Sequence, residues 1–215
     1  MNLRRLRDGI DPNLSERARR RADPMSKGRL EAFSDGVIAI LITIMVLDLK
    51  VPKGAGWDAL GPPLPAFLTY VLSYVFLGIY WNNHHHMLQA ADRVNGRILW
   101  ANLHLLFWLS LIPVVTGWMG QNDFAPLPTA VYGAVLFLAA MGYRILQTVI
   151  IAQQGAHSRL GTAAGRDLKG SISAVLYVVA ILLAFFERWV SIGLYVFVAL
   201  IWLVPDRRIE SIMRQ

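Results

Sequence analysis

Residues 29–48 read RLEAFSDGVIAILITIMVLD, a polar and basic start that becomes an apolar helix. The apolar part is long enough to enter a lipid bilayer, and Asp35 lies near its start. An aspartate inside a membrane helix costs about 2.5–3.5 kcal/mol on insertion scales, so it needs a partner or a water-lined cavity. The stretch therefore predicts a membrane-spanning helix in which Asp35 either stabilises the fold or handles an ion.

The composition of the whole chain is typical of an integral membrane protein. Of its 215 residues, 55% are hydrophobic and 16% are charged, whereas soluble domains contain about 25% charged residues. The mean hydropathy is +0.45. The net charge of +7 comes from Lys and Arg at the ends of the apolar segments, which favours lipid headgroups over nucleic acid as partners. The chain has no cysteine, which excludes disulfides and thiolate metal sites.

Six apolar segments, separated by charged or Gly/Pro-containing breaks, predict an all-α protein with six transmembrane helices. They cover roughly residues 30–49, 65–87, 98–119, 127–151, 171–186 and 189–204. If the N-terminus is cytoplasmic, seventeen of the 21 Lys and Arg lie on the cytoplasmic side, and the outer loops hold only Lys50, Lys53 and Arg188. This positive-inside bias predicts that both termini are cytoplasmic. We expect a basic tail at 1–28, a six-helix domain at 29–204 and a second tail at 205–215.

One face of the first helix carries a narrow stripe of mostly apolar residues. On a helical wheel the stripe spans about 100° and contains Gly36, Ile40, Thr43, Ile44 and Leu47. Asp35 falls well outside it. Stacked rings of such side chains around a symmetry axis could gate by dewetting and discriminate between ions. An apolar stripe on a membrane helix more commonly packs on protein or faces lipid, so spacing alone leaves these interpretations open.

Several polar residues on other helices lie at a similar depth and are candidate partners for Asp35. They are Asn82, His84, His85, His104 and Arg144. Three interpretations remain open: a structural clamp between helices, a proton or ion relay in a transporter, and a metal site on the histidine run. Adjacent histidines on a helix point about 100° apart, and no HExxH motif is present, which disfavours metal. No nucleophile elbow, Walker loop or Ser/His/Asp set indicates an enzyme.

The pattern Arg29-x-x-x-Phe33-Ser34-Asp35, followed by the apolar helix, resembles the signature of the transmembrane protein 175 family of potassium channels. The run from Trp81 to His86, WNNHHH, is similar to the histidine-bearing end of that family's second helix. The six-helix layout with both termini inside also fits. The resemblance covers the chain from about residue 27 to residue 204.

The resemblance implies a passive, potassium-preferring cation channel in a bacterial plasma membrane, with no cofactor and potassium as the permeant ion. It implies a homotetramer in which the first helix of each subunit lines the pore. Ile40, Ile44 and Leu47 would form the hydrophobic constriction, and Thr43 together with Ile40 would tune selectivity. Arg29, Phe33, Ser34 and Asp35 would brace the pore helix. Two alternatives remain open: a proton-coupled secondary transporter that uses a layer formed by Asp35, the histidines and Arg144, and a non-conducting structural membrane protein.

Overall fold

The computed structural model describes residues 26–91, 93–155 and 168–203, and within these ranges the regular structure is helical. The α-helices are α1 (Lys27–Leu47), α2 (Leu64–Gln89), α3 (Gly96–Ser110), α4 (Ile112–Gln121), α5 (Pro126–Gln154), α6 (Leu168–Leu183) and α7 (Arg188–Leu203), and a short 3-10 helix (Trp57–Leu60) precedes α2. Four candidate spans are long and apolar enough to cross a membrane: α1, α2, α3 with α4, and α5. The all-helical prediction is confirmed. Most of the two predicted tails lies outside the described residues.

The third predicted span differs from the sequence-based expectation, because it is two helices and not one. α3 ends at Ser110, α4 begins at Ile112, and Pro113 occupies the first turn of α4. Proline has no backbone N–H and its ring clashes with the preceding turn, so it interrupts a helix but suits the start of a new one. The bend lies in the half of the bundle that is away from the end at which α1 begins.

The helices pack in an order that positions α1 at one side of the subunit. We call the lower end of the bundle the end where α1, α3 and α6 begin and α2, α5 and α7 end. α1 packs on α2, α3 and α4, whereas α5 packs on α3, α4 and α6. α7 packs on α6 and reaches α2 and α5. α1 and α6 therefore lie on different sides of the α3–α5 layer.

The upper half of the core contains hydroxyl groups that hydrogen-bond to one another between helices. The Ser73 hydroxyl on α2 lies 2.6 Å from the Thr116 hydroxyl on α4 and 3.0 Å from the Tyr132 hydroxyl on α5. Thr116 donates to the backbone carbonyl of Ile112 at 2.6 Å. Burying a hydroxyl without a partner costs several kcal/mol in an apolar medium, so this pairing is what allows three polar groups in the core.

α5 and α7 approach closely where a glycine faces an aromatic ring. A Cβ atom at Gly133 would overlap the hydroxyl and ring of Tyr195. The absent side chain lets Tyr195 reach across and donate to the backbone carbonyl of Thr129 at 3.1 Å. Any larger residue at position 133 would push α7 away from α5, because ring atoms cannot yield as a flexible chain end can.

Candidate pore helix and its polar contacts

α1 has a buried face and an exposed face, and the two are chemically different. The buried face contains Leu30, Ser34, Ile38, Leu41 and Met45. The opposite face is the predicted stripe, and all five of its residues are exposed in the subunit. Its exposed fractions reach 62% at Ile40 and 79% at Leu47. The stripe therefore points away from the rest of its own subunit.

The hydroxyl group in this stripe donates a hydrogen bond to the backbone of its own helix. Thr43 donates to the backbone carbonyl of Ile40 at 3.0 Å. Such a bond from a threonine to the preceding turn satisfies the hydroxyl hydrogen and leaves its oxygen lone pairs on the exposed side. The exposed face thus presents branched apolar side chains with one polar acceptor per subunit.

A chain of three polar side chains fastens the buried face of α1 to α3 and α2. Asn102 on α3 donates its amide N–H to the Ser34 hydroxyl at 3.0 Å, and Ser34 in turn donates to the Leu30 carbonyl at 2.9 Å. The Asn102 carbonyl oxygen lies 2.6 Å from His84 Nε2 on α2, so that ring nitrogen carries the hydrogen. All three side chains are at most 1% exposed. Their bonds fix the depth and the rotation of α1 within the subunit.

The carboxylate of Asp35 has a separate partner on α2. Trp81 donates its indole N–H to Asp35 Oδ1 at 3.0 Å. The Trp81 ring also stacks on His85, with ring centroids 6.3 Å apart, and His85 lies 2.8 Å from the Gln89 side chain. Asp35 is half-buried. This contact joins the first turns of α1 to the last turns of α2 beside the serine–asparagine–histidine chain.

The remaining predicted residues lie elsewhere. Arg29, Phe33, Asn82 and His104 are exposed in the subunit, and His104 Nε2 accepts a hydrogen bond from Trp108 at 3.1 Å. Arg144 lines a cleft between α2, α5, α6 and α7. The predicted layer of Asp35, histidines and Arg144 does not form, because α1 packs on α2, α3 and α4 while Arg144 faces the opposite side of α2.

Sequence reasoning missed two of the groups that contact the predicted residues. Asn102 is an amide in the middle of an apolar span, which by itself signals a partner, since an unpaired polar group there is costly. Trp81 belongs to the quoted histidine run, but an indole near a helix end more commonly anchors at the membrane interface. The sequence does not show which helix faces Asn102 or which helix faces Trp81.

Comparison with known proteins places the chain in a family. The profile described as "Endosomal/lysosomal potassium channel TMEM175" matches residues 29–113. A potassium channel from Chryseobacterium sp. (strain P1-3) is 55% identical over 191 residues, which cover 89% of this chain and 100% of that protein. The chain belongs to the TMEM175 family. A potassium channel from Streptomyces collinus is 37% identical over 127 residues, covering 55% of this chain and 62% of that relative.

A solved structure agrees with the TMEM175 fold. It is the crystal structure of a lysosomal potassium-selective channel TMEM175 homolog from Chamaesiphon minutus, with a TM-score of 0.71 and 26% identity. The similarity covers 83% of this chain and 96% of that one. The TMEM175 profile match contains Ser34, His84 and Asn102 as well as the Asp35–Trp81 contact, whereas Arg144 lies beyond it.

Proposed function

We propose that the chain is the subunit of a potassium-preferring cation channel whose pore is lined by α1. The observation that carries this proposal is the division of α1 into a hydrogen-bonded buried face and an exposed apolar stripe. The potassium-channel names of the bacterial relatives support the same function. Passive conduction requires no cofactor and no covalent chemistry.

A single subunit cannot enclose a pore with one exposed stripe, so the proposal requires several copies around an axis. The family resemblance supports a homotetramer. Four copies of α1 would stack rings of Ile40, Ile44 and Leu47 along the axis. Successive turns of an α-helix are about 5.4 Å apart, so the rings would follow one another closely. Narrow apolar rings exclude water and act as a gate until the pore widens.

Selectivity would arise at Ile40 and Thr43. The chain lacks the Thr-Val-Gly-Tyr-Gly sequence of carbonyl filters, so an ion cannot exchange its whole hydration shell for backbone oxygens. A narrow isoleucine ring instead forces an ion to shed part of its water, which costs the more tightly hydrated sodium more than it costs potassium. The Thr43 oxygen, one turn above, offers a replacement ligand on the exposed face.

The proposed topology has six membrane spans, both termini in the cytoplasm and a bacterial plasma membrane around them. The distribution of Lys and Arg supports the orientation. α6 and α7 would be the fifth and sixth spans. Each has 16 described residues, or about 24 Å at 1.5 Å per residue, against a hydrocarbon core of about 30 Å.

Ion flux from purified protein in liposomes tests the function. Potassium-loaded vesicles with a proton ionophore are compared with identical sodium-loaded vesicles, and proton uptake reports the charge movement. Fast potassium flux with slower sodium flux is the expected result. Saturable flux with a steep pH dependence would indicate a proton-coupled transporter instead. The absence of flux from protein shown to be folded and assembled would contradict a channel.

A further inference from the structure

A cleft on the far side of α2 from α1 contains an arginine for which the described residues supply no carboxylate partner. It lies between α2, α5, α6 and α7, is partly open, and encloses about 40 Å³ of space. Its walls are mainly aromatic and aliphatic, as the lining by Phe76, Ile79, Tyr80, Tyr143, Tyr177 and Trp202 shows. The cleft is separate from the exposed stripe of α1.

Two polar side chains of the wall donate hydrogen bonds to other groups of the wall, and one residue of the wall is a cation. The Trp202 indole donates to the Ser173 hydroxyl at 2.9 Å, and the Asn83 amide donates to the Ile79 carbonyl at 2.8 Å. Arg144 also lines the cleft. Within the parts of the chain that the structure describes, no carboxylate lies within 4.0 Å of it. The cleft therefore presents a positive charge that no described acidic side chain balances.

The depth of Arg144 makes this charge costly. It lies ten residues before the end of α5, which corresponds to about 15 Å along the helix axis. α5 has 29 residues, or about 43 Å, so each end extends roughly 7 Å beyond a 30 Å hydrocarbon core. The backbone of Arg144 would then lie inside the hydrocarbon layer, where the side chain of an arginine needs an anion, water or access to the headgroup region.

We propose that this cleft binds one anionic phospholipid, with its phosphate on Arg144 and an acyl chain against the aromatic wall. A guanidinium binds phosphate through two parallel hydrogen bonds. Basic pockets between transmembrane helices are known binding places for anionic headgroups. The apolar wall favours a lipid over a small soluble anion, because the carbons of an acyl chain can pack against it. The bound lipid would join α2 to α5, α6 and α7, and its binding does not depend on ion conduction.

Lipid binding to the full-length protein tests this proposal directly. The protein is purified in detergent with phosphatidylcholine and titrated with phosphatidylglycerol, and the melting temperature and the retained lipid in native mass spectra are recorded. Phosphatidylglycerol should raise the melting temperature and remain bound, whereas more phosphatidylcholine should do neither. Arg144→Gln should weaken phosphatidylglycerol binding about tenfold, which is what a hydrogen bond to a charged group is worth.

Two further variants separate the charge from the cleft. Arg97→Gln removes a cation from an open groove beside Trp100 at the same end of the bundle, and it should leave the affinity unchanged. Ala140→Leu keeps Arg144 but fills part of the cleft, so it should weaken phosphatidylglycerol binding several-fold. It also tests the acyl-chain site if Arg144→Gln does not fold.

Three results would overturn the proposal. The first is an unchanged affinity in Arg144→Gln or in Ala140→Leu. The second is an equal loss in Arg97→Gln, which would indicate general attraction to a basic surface. The third is an equal rise in melting temperature with inorganic phosphate, which would indicate a small-anion site. Ion flux enters none of these measurements, so a failure here is distinguishable from a failure of the channel proposal.

Discussion

α1 and α6 expose similar apolar surfaces but are held in the subunit differently. Ile40 on α1 is 62% exposed and Val175 on α6 is 64% exposed. Behind α1, however, a buried chain of Ser34, Asn102 and His84 crosses three helices. Behind α6, the structure describes a side-chain hydrogen bond from Trp202 on α7 to Ser173 on α6. Exposure therefore does not separate the two helices, whereas the buried polar contacts that fix the rotation of α1 do.

The largest effect should come from breaking the buried chain at its centre. Asn102→Ala leaves the His84 N–H buried without an acceptor and should lower the free energy of unfolding by about 2–3 kcal/mol. Denaturant or thermal unfolding in detergent measures it. Trp202→Phe is the matched change behind α6 and should cost about 1 kcal/mol, because one partly buried bond is lost. Equal losses of unfolding free energy in Asn102→Ala and Trp202→Phe would contradict the difference between α1 and α6.

The next effect should be on ion discrimination. Ile40→Asn places a polar, hydrated ring where the apolar constriction is proposed, so the potassium-to-sodium permeability ratio should fall about tenfold, equivalent to 1.4 kcal/mol. Val175→Asn makes the same change at an equally exposed position of α6 and should leave the ratio as it is. If neither variant changes unitary current or permeability in assembled protein, α1 does not line the pore.

A smaller effect is expected at Asp35. Asp35→Ala removes the acceptor of the Trp81 indole hydrogen bond. Because the carboxylate is only half-buried, the free energy of unfolding should fall by about 1 kcal/mol. The expected result is a lower yield of assembled protein with unchanged permeability ratios, measured by size-exclusion chromatography and flux. Trp81→Phe removes the same bond from the other side and should behave alike. A fully assembled Asp35→Ala channel with altered conductance would place Asp35 in the ion path.

The smallest effect is expected at Thr43. Thr43→Val keeps the shape of the ring and removes the oxygen, so the permeability ratio should change by about twofold, or 0.4 kcal/mol. Thr43→Ser keeps the oxygen and should retain the original ratio. A change larger than that caused by Ile40→Asn would move the selective position from Ile40 to Thr43.

The sequence was most informative about individual helices and least informative about their neighbours. Hydropathy predicts every described α-helix within a few residues, except that it predicts one helix where the structure has two, with Pro113 in the first turn of the second. The wheel separated the α1 stripe from Asp35, and the structure has the stripe exposed and Asp35 turned to Trp81. Depth along the chain suggested Arg144 as a partner of Asp35, yet the two lie on different sides of α2.

The sequence by itself determined that this is an all-helical membrane protein, and which residues share a face of α1. A bilayer requires apolar segments of a minimum length with internally bonded backbones, and the helical repeat fixes side-chain directions. Only the tertiary structure decided that Ser34 meets Asn102 and that Arg144 faces a separate cleft. Position in the sequence gives the height of a residue along its helix, but the packing of the helices decides which side chains lie beside it.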